Sequence, residues 1–308
     1  MRGRRGAPGK VPSFKKLPTL HRWNNLSGRL VLFVRRSPLH LILIVICIIW
    51  LVPTTGLLIS SFRPRSLILT TGWWNAFTFP YRFTMENYLH VVQRANMGRS
   101  FFNSLMIAIP ATVMPILVAA FAAYAFAWMR FPGRDTLFLM IIGLLVVPLQ
   151  MTLIPILRLF NRLHLTGTFA GIWIAHTAYG LPFAIYLLRN FIGGIPEDLL
   201  ESAFLDGASH FQIFYRMVLP ISVPAIASLA IFQFMWVWND LLVALIYLGG
   251  TPDVAPMTVT ISNLVNSYGG GWEFLTSAAF ISMILPLVVF FSLQRYFIRG
   301  ILAGSIKG

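Results

Sequence analysis

Acidic side chains are almost missing from this sequence. Nine Asp and Glu stand among 308 residues, against 24 Lys and Arg, and the first acid is Glu86. Lysine is scarce as well: its four copies are Lys10, Lys15, Lys16 and Lys307, so the long middle of the chain has none. No Gly-x-x-x-x-Gly-Lys-Ser/Thr stretch occurs, which excludes a P-loop. If ATP drives this protein, a partner hydrolyses it. Cys47 is the one cysteine, so neither an intramolecular disulfide nor a cysteine metal cluster can form. The histidines (His21, His40, His90, His164, His176 and His210) lack metal-ligand spacing. Nor is there a credible Ser-His-Asp or paired-carboxylate arrangement. The expectation is a chain without a catalytic site, metal or cofactor of its own.

What is present is hydrophobic. Apolar residues make up 57% of the chain and charged residues 11%, where a soluble domain carries about 25% charged residues. Apolar runs of roughly twenty residues, the span of a bilayer core, recur along the sequence. They predict an all-α integral membrane protein with six transmembrane helices, at about 38–62, 101–129, 136–157, 168–188, 221–248 and 275–297. The predicted organisation is a basic arm over 1–37, a first helix and outer segment over 38–96, a core over 97–297 and a tail over 298–308. The outer segment "GWWNAFTFPYRFTMENYLHVV" is too polar to cross, and its Trp73, Trp74, Phe77, Tyr81 and Tyr88 suit a membrane interface. Prolines at 53, 110, 115, 148, 155, 182 and 286 fall within the spans. In a bundle they are tolerated where neighbouring helices satisfy the backbone groups they free.

Ten of the Lys and Arg residues lie between Arg2 and Arg36, just ahead of the first span. That position reads as a topology signal retained in the cytoplasm, with anionic lipid as a second possible contact. No aromatic-and-basic module follows it, so nucleic acid is not an expected partner. With the amino terminus inside, the inner segments hold seventeen Lys and Arg and the outer segments seven. The positive-inside rule then places both termini, and the segment 196–220, in the cytoplasm.

That segment reads "PEDLLESAFLDGASHFQIFYRMVLP" and gathers Glu197, Asp198, Glu201 and Asp206, four of the nine acids, within ten positions. Pro196 and the acids after it suit a helix start. Leu199, Leu200, Ala203 and Phe204 share a stripe at helical spacing, with the acids largely away from it. Gly207 ends or bends this helix, and a second stretch follows with Phe211, Phe214, Tyr215 and Val218. An exposed helix this short needs something to cover its stripe. It either folds back on the bundle or docks a soluble partner, aromatics in the partner's groove and acids on the rim.

The residues "ESAFLDGASHFQIFYRMVLPISVP" resemble the EAA loop of ABC-importer permeases, with Glu201, Ala203, Gly207, Leu219 and Pro220 at the family's positions and Ser202 in place of an alanine. "FMWVWNDLLVALIYL", "TMENYLHVV" and the closing "RYFIRGILAGSIKG" resemble the smaller permease of maltose-type carbohydrate importers, over most of the chain after about residue 37. The resemblance implies the type I ABC-importer permease fold and a prokaryotic plasma (inner) membrane location. It implies a second homologous permease, an ATP-binding-cassette ATPase dimer and an extracytoplasmic solute-binding protein as partners, with a sugar as substrate. ATP and Mg would belong to the ATPase. By the same resemblance Glu201, Ala203, Asp206, Gly207, Ala208, Phe211 and Phe214 couple to the ATPase. Gly304, Ser305 and Ile306, in the tail, reach towards it. "GWW" at Gly72 to Trp74 resembles permeases of glucose and α-glucoside systems.

Trp236, Asn239 and Asp240 form the one acid-containing polar cluster placed inside a predicted span. Asp240 would lie roughly 30 Å along a continuous helix from Pro220, near the outer interface. The cluster reads either as part of a sugar path or as a hydrated interface cap. An importer of another solute, such as glycerol phosphate, is the alternative within the family. A secondary transporter, a different class, would be expected to carry midplane carboxylates and repeated halves. Apart from Asp240 this chain offers neither. His176, with Tyr179 near it, reads as packed or pore-lining.

Overall fold

The computed structural model describes residues 26–93, 95–264 and 271–305, and the side-chain surroundings within 37–93, 95–264 and 271–294. The chain divides into two compact units, Met1–Thr55 and Gly56–Gly308. Helix α1 (Leu26–Ser61) accounts for the described part of the first unit and enters the second. Its stretch Ser37–Ser61 is long and apolar enough to cross a bilayer. Most of the basic arm lies outside the described residues.

Just past α1, Arg63 is buried and acts as a staple. Its guanidinium donates to the carbonyl of Leu67 at 3.2 Å and that of Thr71 at 3.3 Å, and also to Thr71 Oγ1. This holds the short α2 (Arg65–Thr70) and leads to a 3-10 turn at Trp73–Phe77 and then α3 (Glu86–Gln93). Of the aromatics expected at an interface, Trp74, Phe77 and Tyr81 are exposed, and Trp73 and Tyr88 are half-buried.

The core is built on α4 (Met97–Trp128), α7 (Phe169–Ile192), α11 (Val223–Trp238) and α14 (Trp272–Ser305). α4 lies along α7, and α11 packs on both α4 and α14. Small buried residues make the approach close: Ala108, Ala111, Ala119, Ala120 and Ala123 on α4 face a helix carrying Gly171, Ala175, Gly180 and Ala184. Between helices in lipid, van der Waals packing and hydrogen bonds carry the association, and small residues favour both.

Three of the prolines inside helices are answered by donors from neighbouring helices. A proline inside a helix frees the carbonyl four residues earlier, and lipid offers no water to satisfy it. Pro110 frees Met106, whose oxygen accepts from Trp173 Nε1 at 2.8 Å. Pro115 frees Ala111, whose oxygen accepts from Gln233 Nε2 at 3.1 Å. Pro286 frees Ser282, whose oxygen accepts from Trp238 Nε1 at 3.1 Å. Gly180 makes the second of these possible, because a Cβ there would sit 2.6 Å from the Gln233 amide.

Two of the predicted spans are not continuous. The third is α5 (Arg134–Leu144) and α6 (Leu149–Arg162), bent by 98°. Pro148 precedes α6 and disfavours the helical conformation at Val147, which ends α5 before it can run on. The fifth is also shorter than expected. The polar insertion forms α8 (Glu197–Leu205), α9 (His210–Ile213), a π-helical turn at Phe214–Val218 and α10 (Leu219–Ile221). A 71° bend then starts α11, which stops at Trp238. Residues 242–248, expected to complete that span, instead hold a separate six-residue α12 (Leu242–Tyr247), and α13 (Met257–Ser262) follows. Among the described residues there is no strand, and four helices are long and apolar enough to cross, or six spans if each bent pair counts as one.

Replacing Gln233 with Leu should lower stability by about 1 kcal/mol, the order measured for hydrogen bonds between membrane helices. Pro115→Ala restores the amide that Ala111 lacks, so in that background the same replacement should cost much less. Thermal unfolding of the four proteins in detergent reads the coupling. Equal losses in both backgrounds would contradict this account of Gln233.

Candidate functional site

The insertion has two sides. Towards the bundle, Leu200, Ala203, Ile213 and Phe214 are buried in one cluster with Ile192 and Ile195 at the end of α7 and Tyr124 of α4. Phe214 is 4% exposed, with its ring 4.7 Å from Phe121 and 5.4 Å from Tyr124. The Tyr124 hydroxyl and His210 Nδ1 share a hydrogen bond of 2.9 Å. Away from the bundle, Leu205 is 88% exposed and Phe211 67%, and the Phe211 and Tyr215 rings stack 6.4 Å apart at 8°. Glu197, Asp198, Glu201 and Asp206 are exposed around this crest.

The turn between the helices is fixed by its backbone. The Gly207 amide donates to the Phe204 carbonyl, and the Ala208 amide donates to that of Ala203, both at 3.0 Å. This is the Schellman arrangement, and Gly207 adopts its left-handed φ of 80°. Ser209 then caps α9, its Oγ accepting from the Gln212 amide at 3.4 Å while Gln212 Oε1 accepts from the Ser209 amide at 2.8 Å. That capping box was legible as Ser-x-x-Gln but was absent from the expectations above.

Of the residues expected to couple, Glu201, Asp206, Gly207 and Phe211 lie on the exposed side and Ala208 is half-buried at the turn. Ala203 and Phe214 face the bundle. Gly304 and Ser305 close α14, but their side-chain surroundings lie outside the described residues, as does the whole of Ile306.

At the other end of α11 the expected geometry needs correction. Asp240 does not continue a helix. It sits in an elbow, where Oδ1 accepts from the Val243 amide at 3.2 Å and Oδ2 from the Ala244 amide at 2.9 Å, capping α12. Asn239 turns its amide back to the Met235 carbonyl at 2.7 Å. The carboxylate is only partly exposed, and Oδ2 lies 3.8 Å from Nε2 of the buried His176. Trp236 is 42% exposed and stands edge-on to that imidazole. Beside it, Thr152, Tyr179 and Tyr247 join hydroxyls at 3.0 and 2.8 Å, linking α6, α7 and α12. The sequence separation of His176 and Asp240 hid their juxtaposition.

The model of the family described as binding-protein-dependent transport system inner membrane component matches residues 96–303. An osmoprotective compounds uptake permease protein of Synechocystis (GgtD) is 59% identical, over 93% of this chain and 97% of its own length. An alpha-glucoside transport system permease protein of Rhizobium meliloti (AglG) is 42% identical, over 89% of this chain and 99% of its own. In fold, the chain is similar to a chain of a bacterial ABC transporter involved in the import of the acidic polysaccharide alginate. That match has a TM-score of 0.62 at 20% identity, covering 88% of this chain and 99% of that one.

Because φ at Gly207 is 80° with open space around it, the cost of a side chain there is backbone strain alone. Gly207→Val should destabilise the turn by about 1–2 kcal/mol, whereas Gly207→Asn, which tolerates this region, should cost far less. Protease nicking between α8 and α9 reads the difference, and equal nicking of both variants would refute the assignment.

Proposed function

This chain belongs to the family of binding-protein-dependent transport system inner membrane components, and from that membership we propose that it is the transmembrane permease subunit of an ATP-driven carbohydrate importer, driven by a separate ATPase through the loop 196–220. The observation that carries the coupling is the two-sidedness of that loop. Leu200, Ala203, Ile213 and Phe214 fasten it to α4 and α7, while Leu205, Phe211 and Tyr215 stand exposed among acids. A partner that covers the crest can therefore move the helix ends. The missing P-loop supports a separate motor.

The partners are an ATPase dimer, a second permease and an extracytoplasmic solute-binding protein. Charge asymmetry supports a prokaryotic plasma-membrane topology with the loop and both termini in the cytoplasm. Gly304, Ser305 and Ile306 extend the ATPase contact. Trp236, Asn239 and Asp240 border the solute path. The α-glucoside relative supports a glucoside or glucose-type solute. A second reading is favoured by the 59% identical relative, whose name gives osmoprotective compounds. A glucoside that itself protects against osmotic stress would satisfy both readings.

The test is capture of the cognate ATPase by the detergent-solubilised permease, with transport measured in parallel. Glu201→Arg and Phe211→Ala should each weaken capture or sugar-coupled hydrolysis tenfold or more, while Glu86→Arg, at the far end of the bundle, should not. If an intact complex forms and both loop variants transport normally, the coupling assignment fails.

A further inference from the structure

His176 is 1% exposed, and neither of its ring nitrogens has a hydrogen-bond partner. A neutral imidazole carries one donor and one acceptor, so both capacities are unused in a site walled off from water. Buried polar groups are almost always satisfied, and an exception in a native fold calls for an explanation. The nearest candidate partner, Asp240 Oδ2, is 3.8 Å from Nε2, beyond hydrogen-bond range. The carboxylate already accepts backbone amides at the start of α12, among them those of Val243 and Ala244, and its two oxygens together retain capacity for a further donor. The indole of Trp236 stands 6.3 Å from the imidazole at 78° and is partly exposed. Asn239 is exposed on the same elbow.

The chemistry of this set selects its ligand. Among the described residues no three His, Cys, Asp or Glu side chains converge as a metal site. An anion would face the Asp240 carboxylate, and an apolar ligand would leave the imidazole unpaired. Adjacent hydroxyls of a sugar or polyol both donate and accept, so one can bond the imidazole while its neighbour donates to the carboxylate. The flat indole offers a face for the C–H side of the same ring.

We propose that His176, Asp240, Trp236 and Asn239 form a hydroxyl-recognising subsite, so that this subunit itself touches the sugar in transit. Trp236 is the cover: a change of its rotamer admits the ligand to the buried imidazole. The inference rests on the carbohydrate reading above and adds to it direct contact by this chain.

The experiment uses the complete importer in proteoliposomes, with binding protein and ATPase, and methyl α-glucoside with its monodeoxy derivatives as probes. Uptake is measured at binding-protein saturation, so that the ratio between probes reports the permease. Wild type should disfavour one deoxy derivative about tenfold or more, as sites built to bond a hydroxyl do. His176→Ala should reduce uptake of the parent glucoside about tenfold and abolish discrimination at that one hydroxyl. His176→Gln, which keeps a donor and an acceptor, should recover part of it. Wild-type discrimination retained in His176→Ala, or an equal loss for every probe, would overturn the subsite. If His176→Ala fails to assemble, His176→Gln and Asp240→Asn decide by the same ratios. A wild-type importer that hydrolyses ATP but moves no glucoside, glucose or polyol refutes the carbohydrate reading itself, and the subsite with it.

Discussion

A carbonyl freed inside lipid has nowhere to turn but to protein, and the arrangement of this bundle follows from that. α4 carries two prolines and α14 carries one. The oxygens that these three prolines free are met by an indole or amide of a neighbouring helix, namely Trp173, Gln233 and Trp238. These bonds fix α7 and α11 in register against α4 and α14. They also offset the weakening that proline brings to these helices: the donors are specific and few. Gly180 on α7 leaves the room in which the Gln233 amide reaches the Ala111 carbonyl.

From this register the two candidate functional ends take their places. At one end α7 closes near Tyr124 and Trp128, whose Nε1 donates to the Ile192 carbonyl at 3.0 Å. The acid-rich loop is fastened there by its apolar side, leaving its aromatic crest outward. Its Schellman turn and capping box satisfy backbone groups that a loose loop would leave to water. At the other end the elbow after Trp238 brings Asp240 back against α7. Under the proposed coupling, a push on the loop would be delivered to the same helices, α7 and α11, that hold the polar elbow.

Apolar run length made the candidate spans legible, because a bilayer imposes one scale on every crossing segment. It could not show where a run bends. Pro148 was a visible warning, but proline also sits inside the unbroken α4, so proline alone does not separate a kink from a break. The elbow at Asp240 was hidden for a similar reason: hydropathy continues through Leu241 to Leu248 although the backbone turns. In the loop, the residue types at fixed spacing marked Glu201 and Gly207. The opposite fates of Phe211 and Phe214 depend on which face meets Phe121 and Tyr124, and that is tertiary information. His176 was visible only as one histidine among six until packing set it beside the elbow.

The central claim is that the exposed crest of the loop is where a motor sits. Its most direct measurement is thiol labelling of Leu205→Cys and Phe211→Cys in a Cys47→Ser background, using a membrane-impermeant maleimide on inside-out vesicles. The account predicts rapid labelling of the permease alone and strong protection at both positions once the ATPase is bound, with protection changing when nucleotide is added. Equal labelling of both positions with and without bound ATPase, in a complex that still transports, would contradict it.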